Sequence, residues 1–206
     1  MFNFKFVFVV ILIQLTFNQV EAQPQFSWAK SFGSNQNEES TSIAVDLSGN
    51  VYTTGFFTFT VDFDPGPSIF NLTAAGNNDI YILKLDALGN FVWAINIGGS
   101  GNDKGISIAV DNSGNVFTTG FFTGTADFDP GPGIFNLTSV ANTPDIFVLK
   151  IDAGGNLVWV KQLGGGGSSQ QGNDIAIDAS GNVYTTGFFT FTTTIMRNIS
   201  SVRPIA

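Results

Sequence analysis

Ile43-Ala44-Val45-Asp46-Leu47-Ser48-Gly49-Asn50-Val51-Tyr52-Thr53-Thr54-Gly55 decides the fold of this chain. Its centre is an Asp-x-x-Gly-Asn turn. Asp in the first position accepts backbone N–H groups from the residues ahead of it, and Gly in the fourth takes φ > 0 without a Cβ clash. A type I turn closed by a left-handed Gly joins two antiparallel strands. The flanking runs are short and rich in β-branched and aromatic residues, as strands are. The motif returns four more times, so the turn residues are Asp46, Gly49 and Asn50; Asp86, Gly89 and Asn90; Asp111, Gly114 and Asn115; Asp152, Gly155 and Asn156; Asp178, Gly181 and Asn182. Their starts lie 40, 25, 41 and 26 residues apart. Alternating long and short gaps describe one unit carrying two hairpins.

Other markers keep the same period. Trp28, Trp93 and Trp159 stand 65 and 66 residues apart. Asp-Phe-Asp-Pro-Gly-Pro occupies 62–67 and 127–132, Asn-Leu-Thr begins at Asn71 and Asn136, and Thr-Thr-Gly-Phe-Phe ends at Phe57, Phe122 and Phe189. Self-similarity of this strength signals a repeat architecture. Each unit reads as four strands, near 41–46, 50–57, 79–86 and 91–97, with an insert of about 21 residues between the second and third. The insert carries the Asp-Phe-Asp-Pro-Gly-Pro turn and a short strand. The second and third strands are apolar on both faces, which suits a sheet sandwiched between neighbours. The expected fold is all-β: four-stranded antiparallel β-propeller blades of about 65 residues. A β-solenoid is disfavoured, because its coils are shorter and would not pair hairpin turns in this way.

Ile-Ala-Val-Asp-x-Ser-Gly-Asn-Val-Tyr-Thr-Thr-Gly, followed by Asp79-Ile80-Tyr81-Ile82-Leu83-Lys84-Leu85-Asp86 and then Gly-Asn-x-Val-Trp, resembles the SBBP (seven-bladed β-propeller) repeat of exported bacterial proteins. It is more distantly similar to NHL-type blades. The resemblance spans nearly all of 26–191 and implies a propeller on an exported or surface protein, without one agreed activity.

The chain then divides into a signal peptide at 1–22, a partial propeller at 23–191 and a divergent tail at 192–206. The propeller comprises a lone fourth strand at 26–32, blades at 33–97 and 98–163, and a partial blade at 164–191. That is about two and a half to three blades, whereas a ring takes four to eight. The change of composition after Thr192 points to a fragment with a truncated or frameshifted end. The competing expectation is self-association, two chains completing one ring.

Lys5, the apolar run Phe6–Ile13 and the small residues around Val20-Glu21-Ala22 form the signal peptide, with cleavage before Gln23. The run is too short to span a bilayer, so the expectation is a secreted or cell-surface protein with no transmembrane segment after cleavage. Without Lys5 and Glu21, 7 basic and 15 acidic residues remain, a poor fit to nucleic acid. The chain has neither Cys nor His, which removes thiol nucleophiles, imidazole acid–base chemistry and the usual zinc ligand sets. An exported chain without disulfides leans on its core and fits a bacterial envelope.

Most carboxylates repeat from blade to blade, as structural residues do; a catalytic residue is needed once. The charges that break the repeat, Glu38, Glu39, Asp103, Lys104, Lys161 and Asp174, fall in the fourth-to-first-strand connections without the spacing of any catalytic set. The expectation is therefore no catalytic residue and no organic cofactor. Asp62, Asp64, Asp127 and Asp129 are the candidate calcium ligands, since alternate residues of an extended segment share a face and offer oxygen to a hard cation. The plainer reading is an Asp-capped Pro-Gly turn. Gly164–Gly167 reads as a link, and Phe56-Phe57 with its copies as inter-blade core. The function expected is a non-enzymatic surface binding or structural module for a protein or glycan ligand. The alternatives are calcium-dependent adhesion and a propeller-type glycan hydrolase or lyase.

Overall fold

A computed structural model describes residues 27–34, 37–164 and 169–189. The expected signal peptide, the divergent tail and Gly165–Gly167 lie outside these. The first blade runs β1 (Glu38–Val45), β2 (Val51–Phe57), a small hairpin β3 (Thr60–Asp62) and β4 (Asn71–Thr73), then β5 (Asp79–Leu85) and β6 (Phe91–Gly99). The second repeats it as β7 (Lys104–Val110), β8 (Val116–Phe122), β9 (Thr125–Asp127), β10 (Asn136–Thr138), β11 (Asp145–Ile151) and β12 (Leu157–Leu163). β13 (Gln170–Ile177) and β14 (Val183–Phe189) begin a third. Within the blades, β1-β2-β5-β6 and β7-β8-β11-β12 are antiparallel neighbours. The architecture is all-β with β-propeller repeats, and the described residues do not close a ring.

The turns form as their residues dictate. All five motif glycines sit at φ between 78° and 88°. Each first Asp accepts the N–H of the Asn four residues on, as Asn50 N–H to Asp46 Oδ1 at 2.9 Å. The second insert is one residue longer than the first, and a 3₁₀ turn at Val140–Asn142 absorbs the extra residue.

Three apolar layers hold the blades. Phe57, Phe63, Tyr81 and Leu83 on one face of blade one are covered by Trp28 and Phe32. Tyr52, Ile80, Ile82 and Ile97 meet Ile108, Phe122, Phe147 and Leu149 between blades one and two. Phe117 and Val148 meet Ile175 and Val183 between blades two and three. The double-sided hydrophobicity of the second and third strands is spent on these contacts.

Two features depart from the sequence expectation. The strand expected at 26–32 is not formed among its described residues, 27–32. Trp28 nonetheless takes the role of Trp93: its indole Nε1–H donates to Ala87 O at 3.0 Å, as that of Trp93 donates to Ala153 O at 3.1 Å. Trp93 lies on β6, whose ladder partner is β5 of its own blade; among the described residues no such strand flanks Trp28, so packing holds the segment without a ladder. The second departure is β6 itself, which runs two residues beyond the expected 97. Its end pairs Gly98 with Asp127 and Gly99 with Ala126, carrying the insert of the next blade.

Candidate functional site

The Asp-x-x-Gly-Asn carboxylates are fully engaged in their own hairpins. Asp46 takes the N–H groups of Ser48 and Asn50 and the amide of Asn50. Partial burial works against ionisation there, but these bonds, with the Tyr52 hydroxyl, hold its carboxyl below the ordinary aspartate value. The N–H and amide of Asn90 depress Asp86 likewise, and the amide and N–H of Asn156 and Asn182 depress Asp152 and Asp178. Asp111 accepts from Ser113, Asn115 and the Asn115 amide.

Asp62 and Asp64 do lie together, but their oxygens face their own loop. Asp62 Oδ1 accepts from Asp64 N–H at 3.0 Å and Phe70 N–H at 2.8 Å, and Asp64 Oδ1 from Gly66 N–H at 2.7 Å. Asp127 and Asp129 repeat these bonds with Asp129, Phe135 and Gly131. Both loops thus have the Asp-capped turn. A calcium ion takes six to eight oxygens; among the described residues no three His, Cys, Asp or Glu side chains converge on one metal position. The first loop does border an open groove of about 390 Å³, lined also by Ser31, Phe32, Ser34 and Glu38.

The charges that break the repeat divide. Glu38 and Glu39 open β1, Lys104 opens β7, Lys161 lies within β12 and Asp174 within β13, so these are strand residues rather than links. Lys104 places its ammonium 3.5 Å from the centre of the Phe56 ring. Asp174 Oδ1 accepts the Ser107 hydroxyl at 2.7 Å across the second blade interface. Glu38 accepts the N–H and hydroxyl of Ser34.

Asp103 stands apart. It is 0% exposed, and so is Asp79 at the head of β5. Asp103 accepts Gly99 N–H at 2.8 Å and Thr123 N–H at 3.0 Å. Asp79 Oδ2 accepts Ala75 N–H at 2.9 Å and the Asn96 amide, while Asp79 Oδ1 is buried with no hydrogen-bond partner. Gly98 leaves room for both carboxyls: a Cβ there would lie 2.7 Å from Asp79 Oδ1 and 3.0 Å from Asp103 Oδ2. Burial, and then the charge of Asp79, push the Asp103 carboxyl up to about 7; burial also raises Asp79. Sequence reasoning set Asp103 aside as an isolated link charge. The signal it passed over is positional, since Glu38, Asp103 and Gln170 share one repeat position, as do Gly33, Gly98 and Gly164.

This pair has the shifted titration of an acid–base group without access. With both residues fully buried, no dissolved substrate reaches either, and the arrangement ties blade to blade instead.

The sequence model of the beta-propeller repeat (SBBP) matches residues 92–120 and 158–187. Each match begins on a fourth strand and ends in the second strand of the following blade. An uncharacterized WD repeat-containing protein of Acanthamoeba polyphaga mimivirus is 27% identical over 189 residues, covering 79% of this chain and 13% of that protein. The chain thus spans about an eighth of that relative's length. Strand order, turn chemistry and the repeat matches agree: the chain carries β-propeller repeats.

Proposed function

We propose that this chain is a non-catalytic β-propeller repeat module, exported and presenting its blades as a binding or structural surface for a protein or glycan. One observation carries the non-catalytic part: the two carboxyls best tuned for proton transfer, Asp79 and Asp103, are sealed at 0% exposure. The remaining aspartates described above are spent on turns and blade contacts. The WD repeats in the viral relative's name fit a module of this kind. The export part rests on the segment from Lys5 to Ala22, and no helix among the described residues is long and apolar enough to cross a membrane.

Two measurements test the reading. N-terminal sequencing of the protein recovered from expressing cells is expected to begin at Gln23 in the extracytoplasmic fraction; protein still starting at Met1 in the cytosol refutes export. A panel of soluble polysaccharides is expected to stay intact on incubation, and turnover abolished by Asp103→Asn would overturn the non-catalytic reading.

The groove beside Asp62 and Asp64 supports a second reading, calcium-dependent adhesion, because Glu38 lines it too. Calorimetric titration with millimolar Ca²⁺ decides: heat of binding lost in Asp64→Asn supports it, and a flat trace removes it.

A further inference from the structure

We propose that Asp79 and Asp103, both buried beside Gly98, keep one proton on the pair, and that this proton is a pH-sensitive latch between the first two blades. Two buried carboxylates bordering one glycine cannot both stay charged without a cation. Their other contacts are N–H donors, from Ala75, Gly76 and Asn96 to Asp79 and from Gly99 and Thr123 to Asp103. Such donors stabilise one negative charge, and they would repel a bound metal ion. Asp79 Oδ1 is the acceptor left without a hydrogen-bond donor, and it borders Gly98 as Asp103 Oδ2 does. A proton on the pair removes one of the two charges and leaves the other to the surrounding N–H groups.

Other charges around the pair do not relieve it. On β7, Lys104 carries its ammonium to the Phe56 ring. On β5, Tyr81 bonds the Ser40 hydroxyl, and Lys84 lies over the Tyr52 ring. On β9, Asp127 is taken by its own loop. On β1, Glu38 bonds Ser34 and Glu39 is exposed; on β13, Asp174 bonds Ser107. Asp79 is the one whose charge acts on Asp103.

The next blade interface supplies a comparison within the molecule. There Asp145 is 0% exposed and Gln170, at the position of Asp103, is 1% exposed. An amide is permanently neutral, as a protonated acid is, although Asp145 Oδ1 is without a hydrogen-bond partner just as Asp79 Oδ1 is. The second interface therefore has an uncharged group where the first depends on a proton.

The folded pair holds its proton to higher pH than an unfolded aspartate, so folding binds a proton between about pH 4 and 7. Stability contributed by the latch is present below about pH 4 and is lost as pH rises towards 7. The test uses the full chain. Carboxyl ¹³C NMR on the native protein is expected to show one of the two aspartates titrating near 7; both titrating below about 5, the ordinary carboxylate range, overturns the proposal. In urea unfolding from pH 5 to 7, the unfolding constant is expected to rise by up to about tenfold per pH unit in the native chain and by less than about twofold in Asp103→Asn. An Asp103→Asn profile as steep as the native one overturns the latch. If that variant does not fold, the NMR titration of the native chain decides alone.

Discussion

Phe59 holds a backbone conformation that its side chain opposes. Its φ is 58°, and the copy of this position in the second blade is Gly124 at 75°. A residue with a Cβ is strained there by roughly 1–2 kcal/mol. The ring recovers little, being 68% exposed. Phe59→Gly is therefore expected to raise stability by about 0.5–1 kcal/mol in urea unfolding, after the extra freedom Gly gives the unfolded chain is discounted. Gly105 shows the opposite constraint. A Cβ there would lie 2.3 Å from Thr54 Oγ1 and 3.1 Å from Ile80 Cγ2. Thr54 cannot swing aside cheaply, since its buried hydroxyl donates to Tyr81 O at 2.9 Å. Gly105→Ala is expected to cost about 1–3 kcal/mol, read from the same unfolding curves. Gly172 repeats the approach against Thr119 Oγ1 at 2.2 Å, so the close contact belongs to the blade interface itself.

Among the elements, the hairpins were the most readable part of the chain. Their turn chemistry is local: an Asp, a left-handed Gly and an Asn within five residues fix the conformation before any tertiary contact forms. Asp111→Ala would remove the acceptor for Ser113 N–H, Asn115 N–H and the Asn115 amide. The loss expected is about 1–2 kcal/mol, by analogy with helix-cap deletions, and differential scanning calorimetry would show it as a lowered unfolding temperature. The pairing of β6 with β9 was not readable. Gly98 and Gly99 fall past the strand end expected at 97, and nothing local says that a Gly-Gly pair will continue a strand and carry the next insert. The carboxyl pair was hidden for the same reason. Asp79 and Asp103 are 24 residues apart in sequence, and only the stacking of two blades places them at one Gly98. Asp62 and Asp64, by contrast, drew attention through their spacing, and the bonds they make are those of a turn.

At the scale of the whole molecule, the two classes of aspartate set opposite pH limits. The turn residues Asp46, Asp86, Asp152 and Asp178 titrate lower when folded than an ordinary aspartate. Their contribution is present above the unfolded value and is lost as pH falls through the folded one. The unfolding midpoint is expected to drop as pH falls below about 4, and it should do so in Asp103→Asn as in the native chain. That separates the acid limb from the latch, whose window lies higher. Thermal unfolding followed by circular dichroism across pH 2 to 8 resolves both limbs.

The strand β6 belongs to two blades at once, through β5 on one side and β9 on the other. Tension on the chain would therefore pass between the first two blades through β6 and β9. A blade cannot be drawn away whole while its insert hangs on the preceding strand, so rupture and unravelling are coupled. Single-molecule pulling is expected to show a ladder of discrete events, one per repeat of 65 or 66 residues, each releasing a contour length of about 220 Å. The first two blades resist being pulled apart as a strap does, through the clasp that β6 and β9 make.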